Sequence, residues 1–384
     1  MLRITFLLSL PVFFITLKAA PVAEKMNNLL GDQFFPQDKA WGFADFRKRV
    51  RIKFDGNGGR FFTSYSKTTA GVTPKEIICF TDREEKFVRR ITFTFANRGD
   101  DTRRTSSLIT DAKRNLKRNI SAVCGPAKRR NIDFLPYRKQ ADFWQAGSAG
   151  IYLEADKNEY VQLHIVTDMN TTPEDDQRDF DYSKNVVNND FGDVYIPNVP
   201  MVDQGDKGYC VPATMARVFQ YYGVNLDIHY LAKKGNSDPD SDKGGTNPDK
   251  LKKSIASVRR HSGLTYSEFS NLSISKIANY IDKGYPVIWS IWSTENLNKV
   301  YAFSMENREK YTDPEKWRKV LKSVKISGKH NHNEGHYILI IGYNNITGEI
   351  ALSNSWGKRY IKPIWIPIKV AKAVYKGPFF IIHP

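Results

Sequence analysis

One thiol and one imidazole, far apart in the chain, constrain this fold more than any other feature. Cys210 closes the stretch Gln204-Gly-Asp-Lys-Gly-Tyr-Cys210. The segment after it spaces Val211, Met215, Val218/Phe219 and Tyr222 at helical intervals, with Pro212 in a first turn and Gly223 as a C-terminal stop. His336 heads the apolar run Tyr337-Ile-Leu-Ile-Ile-Gly-Tyr343, which reads as a buried strand ended by Gly342. A second strand, Gly348-Glu-Ile-Ala-Leu352, leads into Ser353-Asn354-Ser-Trp-Gly357. A thiol at a helix mouth and a base on a core strand restrict the chain to folds that mix the two element types.

The chemistry of that set is specific. A free thiol titrates near about 8.5, so it needs a cationic partner or a helix N-terminus to become a nucleophile near neutrality. Cys210 is placed for the helix dipole, His336 for the proton, Asn354 to fix the imidazole tautomer, and Gln204 to hold an oxyanion together with the Cys210 amide. Taken singly, such a cysteine is a small buried hydrophobe and such a histidine a core residue. The ordered set of Gln, Cys, His and Asn outweighs those readings.

Gln-Gly-x-x-Gly-x-Cys, then Gly-His before apolar residues and Gly-Tyr, then Asn-Ser-Trp-Gly, resembles the papain-like cysteine peptidases. The Tyr221-Tyr222-Gly223, Gly244-Gly245-Thr246 and Gly284-Tyr285-Pro286 stretches are more similar to the compact bacterial branch related to bacteriocin-leader peptidases. The likeness covers residues 195–384. It implies an α+β catalytic domain over 194–384, with a helical half carrying the nucleophile and an antiparallel β half carrying His336 and Asn354. It also implies catalytic roles for Cys210, His336, Asn354 and Gln204, a shielding indole at Trp356, and a substrate contact at Gly245, where bare backbone pairs with an extended peptide. An imidazolium–thiolate resting pair is implied as well. The chain departs from papains at Lys207, where they carry a disulfide cysteine, and at Val211, where they carry tryptophan. No cofactor is implied. His330, His332 and Glu334 precede His336 in a loop whose spacing is not that of a helical metal motif, so no metal site is expected.

At 384 residues the chain supports about two domains. Met1-Leu-Arg3, the apolar run Ile4–Leu17 and the small residues after Lys18 read as a signal peptide over 1–20, too short for the roughly 20 apolar residues of a span. Export follows as the expected localisation, and no later segment is long enough to span a membrane. In an oxidising compartment Cys79 and Cys124 are either bonded to each other or both buried as thiols, leaving Cys210 reactive. The net charge of +17 divides as +6 for residues 1–200 and +11 for 201–384. It suits an anionic surface, polymer or acidic substrate. The densest block, Arg103–Lys139, has eleven basic residues but little aromatic interleaving, which argues against specific nucleic-acid binding.

Residues 21–167 form an expected smaller α+β domain: Ile91, Phe93 and Phe95 alternate inward, Tyr160–Val166 pairs with Gly150–Glu154, and a helix is expected near Leu108–Asn119. It is either an inhibitory propeptide or a permanent targeting or substrate-gripping module. Residues 168–193 have the acidic, polar composition of a linker. Peptide-bond hydrolysis is the expected activity; the alternatives are an acyl transfer of transglutaminase type on the same residues and a non-catalytic binding protein with a basic surface.

Overall fold

The computed structural model describes residues 16–36, 41–98, 105–157, 159–167, 180–238, 245–324 and 335–384. Among them the chain forms two antiparallel sheets with helices against them, the α+β class expected. Helices α1 (Thr16–Leu30), α2 (Phe43–Arg49) and α3 (Thr105–Cys124) belong with the first sheet. Its strands are β1 (Asp55–Asn57), β2 (Arg60–Ser64), β3 (Glu76–Thr81), β4 (Val88–Asn97), β5 (Lys128–Asn131), β6 (Gln140–Ala146), β7 (Ala149–Asp156) and β8 (Tyr160–Val166). They run in the order β1-β2-β3-β4-β8-β7-β6-β5. The β7–β8 hairpin has the expected pairing, with Gly150 opposite Val166 and Glu154 opposite Gln162. One face, with Ile91, Phe93, Phe95, Leu163 and Ile165, packs with Phe34, Ile109, Leu116 and Ile120 into a core.

The opposite face is polar and also buried. Arg90, Thr92, Thr94, Glu154, Gln162 and His164 are all largely removed from solvent, and Thr92 bonds His164, His164 bonds Glu154 and Gln162 bonds Thr94. Tyr160 donates its hydroxyl to Glu154 (2.5 Å), and His164 lies between Glu154 (3.2 Å) and Thr92 (3.0 Å). The second half covers this face: Gln162 Nε2 donates to Asp227 Oδ2 (3.0 Å) and Arg90 to Asn225 (3.4 Å). Tyr137 stacks on Tyr230 with ring centres 3.8 Å apart.

The second half begins with β9 (Val187–Asn188) and β10 (Asp193–Tyr195), followed by α4 (Cys210–Tyr221) and α5 (Ile228–Lys234). Then come β11 (Thr265–Phe269), β12 (Val287–Trp292), β13 (Gly335–Asn344), β14 (Glu349–Ser353), β15 (Ile364–Pro367) and β16 (Tyr375–His383). The sheet order is β11-β16-β12-β13-β10-β9, with β14 and β15 added beside β13. Helix α4 and the helix over Ile274–Ile281 both pack on β13, which is why its Ile338–Ile341 run is apolar on both faces. Among the described residues no helix is long and apolar enough to cross a membrane.

Four expectations are corrected or refined. Helix α1 starts at Thr16, ahead of the leader boundary expected at residue 20, and its C-terminal part carries Met26 and Leu30 into the core; residues 1–15 lie outside the described set. Of the linker expected over 168–193, residues 168–179 lie outside the described set, and from Phe180 the chain is packed. Tyr182 is buried against Tyr221 and Tyr222, and Asp193 is held by Arg308 at 2.6 Å. The polar residues there make turns: Asp181 accepts from the Ser183 amide, and Asn189 from those of Phe191 and Asp193. Gly342 does not end its strand; β13 continues to Asn344, and a Cβ at 342 would lie 2.5 Å from the Tyr195 Cβ, so glycine marks a close approach of the paired strand β10. Cys79 and Cys124 are both free thiols. Cys79 is fully buried on β3, whereas α3 lies over β4 and β6–β8 and delivers the half-buried Cys124 to Met26, sulfur to sulfur 3.5 Å.

Asp227 ties the halves together twice, as acceptor for Gln162 and as the N-cap of α5 through the His229 amide (2.8 Å). Burial opposes its ionisation, but His229, Gln162 and that amide outweigh burial and hold the carboxyl below its ordinary range. A depressed carboxyl stabilises the fold above the unfolded titration range, and that stability is lost as pH falls through it. Asp227→Ala is expected to cost about 2–4 kcal/mol in urea unfolding at pH 7, and the difference from wild type should shrink as the pH is lowered through and below the carboxylate range.

Candidate active site

Helix α4 starts at Cys210 itself. Tyr209 occupies the cap position with non-helical backbone and no side-chain cap, so the first-turn amides remain directed at the thiol, where those of Val211 and Cys210 reach it. One turn on, Thr214 donates its hydroxyl to the Tyr337 carbonyl (3.1 Å). Residues four apart share a helix face, so Cys210 is held at the same point of β13, and the Tyr337 amide donates to its sulfur. The thiol therefore lies at the start of β13, against the backbone that follows His336.

His336 is buried, and its Nε2 lies 2.8 Å from Asn354 Oδ1. The hydrogen positions follow from the neighbours. The Ser355 amide, which can only donate, also lies 2.8 Å from Asn354 Oδ1; that atom is therefore the oxygen, and His336 Nε2 must carry the proton. In the neutral ring Nδ1 is left as acceptor. Trp356 lies over the imidazole, ring centres 4.8 Å apart at 28°, and covers it from solvent.

Gln204 joins the same network. Its amide N–H donates to the Ser355 carbonyl (2.8 Å) and the Ser355 hydroxyl donates to its Oε1 (2.7 Å), which turns the Nε2 donors away from Ser355. Ser355 thus links Gln204 to Asn354. Its neighbour Gly357 has φ +80°, and a Cβ there would lie 2.5 Å from the Asp203 carboxylate, which in turn accepts from the Gly205 amide; the glycine lets the two loops meet.

Burial pushes the Cys210 thiol up, against the pull of the Tyr337, Val211 and Cys210 amides and of Lys376. Burial likewise lowers His336 to about 4, with the Asn354 contact opposing it. Desolvation therefore favours the neutral pair, and the imidazolium–thiolate expected from the resemblance depends on the helix amides and Lys376 to offset it. Lys376 lies over the Trp292 ring at 4.3 Å, and a Cβ at Gly335 would meet its ammonium.

Gly245 sits further out. It bridges to Asp238, whose carboxylate lies 3.6 Å from Arg98, whose carbonyl in turn accepts from the Tyr209 hydroxyl (3.1 Å). Gly244, His330, His332 and Glu334 lie outside the described residues. Among the described residues no group of three or more side chains could hold a metal ion. Sequence reasoning passed over Ser355, Lys376 and Arg217. The buried Arg217 on α4 donates Nε to Pro200 O (2.7 Å), Nη1 to Ser353 O (3.0 Å) and Nη2 to Ser353 Oγ. Ser355 stands inside the Asn-Ser-Trp-Gly motif, so its position was visible; Lys376 and Arg217 carried no local signal.

Residues 196–376, just under half of the chain, match the model of the Peptidase_C39 like family. This segment is similar to the Peptidase_C39-like domains. Two solved structures are similar to it: the peptidase domain of Streptococcus ComA, described as a bi-functional ABC transporter involved in a quorum-sensing pathway, and a putative C39-like peptidase from Bacillus anthracis. ComA is 17% identical over 48% of this chain and 97% of that one, with a TM-score of 0.30. The Bacillus protein is 15% identical over 50% of this chain and 98% of that one, with a TM-score of 0.32. No curated protein matches the chain. That family match supports a papain-like cysteine peptidase.

The imidazole of His336 should titrate near 4 rather than near 6.5 when followed by NMR. Because the Asn354 contact favours the charged ring, Asn354→Ala should move that titration further down.

Proposed function

We propose that the chain is an exported cysteine peptidase in which Cys210, His336, Asn354 and Gln204 act together on peptide bonds. The observation that carries this reading is the fixed tautomer: with Nε2–H committed to Asn354, only Nδ1 of His336 can take the thiol proton. As Nδ1 takes that proton, Sγ bonds to the peptide carbonyl carbon and the oxygen becomes an anion, held by the Gln204 Nε2–H and the Cys210 amide. The imidazolium then protonates the leaving amine as the C–N bond breaks. Water attacks the thioester, gives a proton to Nδ1, and the thiol is restored as the acid leaves. Trp356 keeps water from the Asn354–His336 bond during both steps. The leader-like run before residue 20 supports export.

The test is covalent labelling by a peptidyl epoxide, read by intact mass and peptide mapping. One label on Cys210, and loss of both labelling and hydrolysis in Cys210→Ala, are expected; hydrolysis that survives in Cys210→Ala ends the proposal. Adding a primary amine should leave free acid as the main product, whereas incorporation of the amine would identify a transferase. Gln204→Ala should lower kcat by about a hundredfold with little change in KM, because the oxyanion forms only in the transition state. In the resting thiol–imidazole pair that burial favours, the acid limb of kcat/KM is the protonation of His336. Since His336 gains an extra proton only near 4, kcat/KM should hold down to about pH 4 and fall below it.

A further inference from the structure

Two buried guanidinium groups, one from each half of the chain, hold consecutive carbonyls on the way into Gln204. Arg217 of α4 donates to Pro200 O at 2.7 Å, and Arg60 of β2 donates Nη1 to Met201 O at 2.6 Å. Arg60 is only 3% exposed; it also meets Glu76 at 3.5 Å and lies over the Phe62 ring. On β1, Asn57 donates its amide to both Pro197 O (2.9 Å) and Val199 O (3.1 Å). The Met201 side chain packs with Phe62 and Ile78 of the first sheet. Residues 197–201 are thus laid along β1 and β2 as far as three residues before Gln204.

The sheet also reaches the other side of Gln204. Lys207 donates to Asn97 Oδ1 (3.1 Å), and the buried Tyr209 donates its hydroxyl to Arg98 O (3.1 Å). Gln204 therefore sits on a bridge whose two ends are fixed by β1–β2 and by the end of β4. None of these bonds uses Cys210, His336 or Asn354. A segment that silences a thiol enzyme must occupy the thiol, the base or the cleft between them; these contacts instead fix the backbone carrying the oxyanion donor. Separation would also strand buried donors and acceptors on both sides, including the polar face of Arg90, Gln162 and His164.

We propose that the first sheet is a permanent part of the active site, with Arg60 and Asn57 as positioning residues for Gln204; this rests on the peptidase reading above. An oxyanion donor works only within a narrow range of distance, so a loop released from β1–β2 loses transition-state stabilisation while the thiol stays as reactive as before.

The experiment compares three readouts on the full chain and on Arg60→Met, Arg60→Lys and Asn57→Ala. They are peptide hydrolysis, inhibition by a peptide aldehyde, whose hemithioacetal oxygen needs the Gln204 donor, and alkylation of Cys210 by iodoacetamide, which does not. For Arg60→Met and Asn57→Ala the expected result is a roughly tenfold fall in kcat and a similar weakening of the aldehyde, with KM and alkylation within about twofold. Arg60→Lys should recover part of the loss. Unchanged hydrolysis in both variants, or an equal fall in all three readouts, overturns the proposal. A protease site introduced between residues 168 and 179 gives the second arm: the nicked chain should elute as one species with its activity kept. Release of the N-terminal fragment with a rise in activity would make that sheet an inhibitor. A wild-type chain that neither hydrolyses peptides nor binds the aldehyde fails the peptidase reading itself, and the positioning role falls with it, whereas the outcomes above fail only the role of the sheet.

Discussion

The guanidinium of Arg217 is the point on which the segments carrying Cys210, Gln204 and Asn354 converge. From α4, the helix that carries Cys210, it bonds the carbonyl of Pro200 ahead of Gln204 and both the carbonyl and the hydroxyl of Ser353 ahead of Asn354. It has no carboxylate among these partners, and burial pulls its proton affinity down to about 9, with the nearby Arg60 adding to the effect. A planar group with five donors can hold diverging carbonyls where an ammonium cannot. The cost of burying that charge is offset by acceptors that the loop and strand backbones would otherwise leave unsatisfied.

With α4 fixed, the order of groups around the thiol follows. Thr214 pins the helix to the Tyr337 carbonyl, which brings Cys210 to the head of β13, and β14 pairs with β13 so that the chain after Ser353 turns back toward His336. Ser355 then connects Gln204 to Asn354, and through it to His336, by way of two side-chain amides. The site is one hydrogen-bonded unit running from Gln204 to His336, and its parts are not expected to behave additively.

Much of this was legible in the residues. The helix after Cys210, the strands around His336 and Asn354, and the β7–β8 hairpin follow from short-range periodicity and turn signals, which local sequence encodes well. What was not legible depends on contacts between distant segments. The alternation of Phe93 and Phe95 with Thr92 and Thr94 reads as a sheet with one wet face; only the second half of the chain, packed against it, makes that polar face interior. Asp181 and Asn189 read as linker because acidic and amide side chains that cap turns are indistinguishable, in composition, from those that merely solvate a loop. Arg217 and Lys376 have no motif, since their roles come from what the fold brings near them.

The separation of Cys210 from His336 and Asn354 along the chain also sets a sequence in time. Cys210 is synthesised well before His336, Asn354 and Trp356, and the strand β16 slots between β11 and β12 only after both exist. At the rate of roughly 5–20 residues per second for translation, a nascent chain spends several seconds with its thiol made but the His336 imidazole and the Asn354 amide still missing. During that interval the sulfur has no fixed imidazole partner, and a growing chain carries the reagent without the machine.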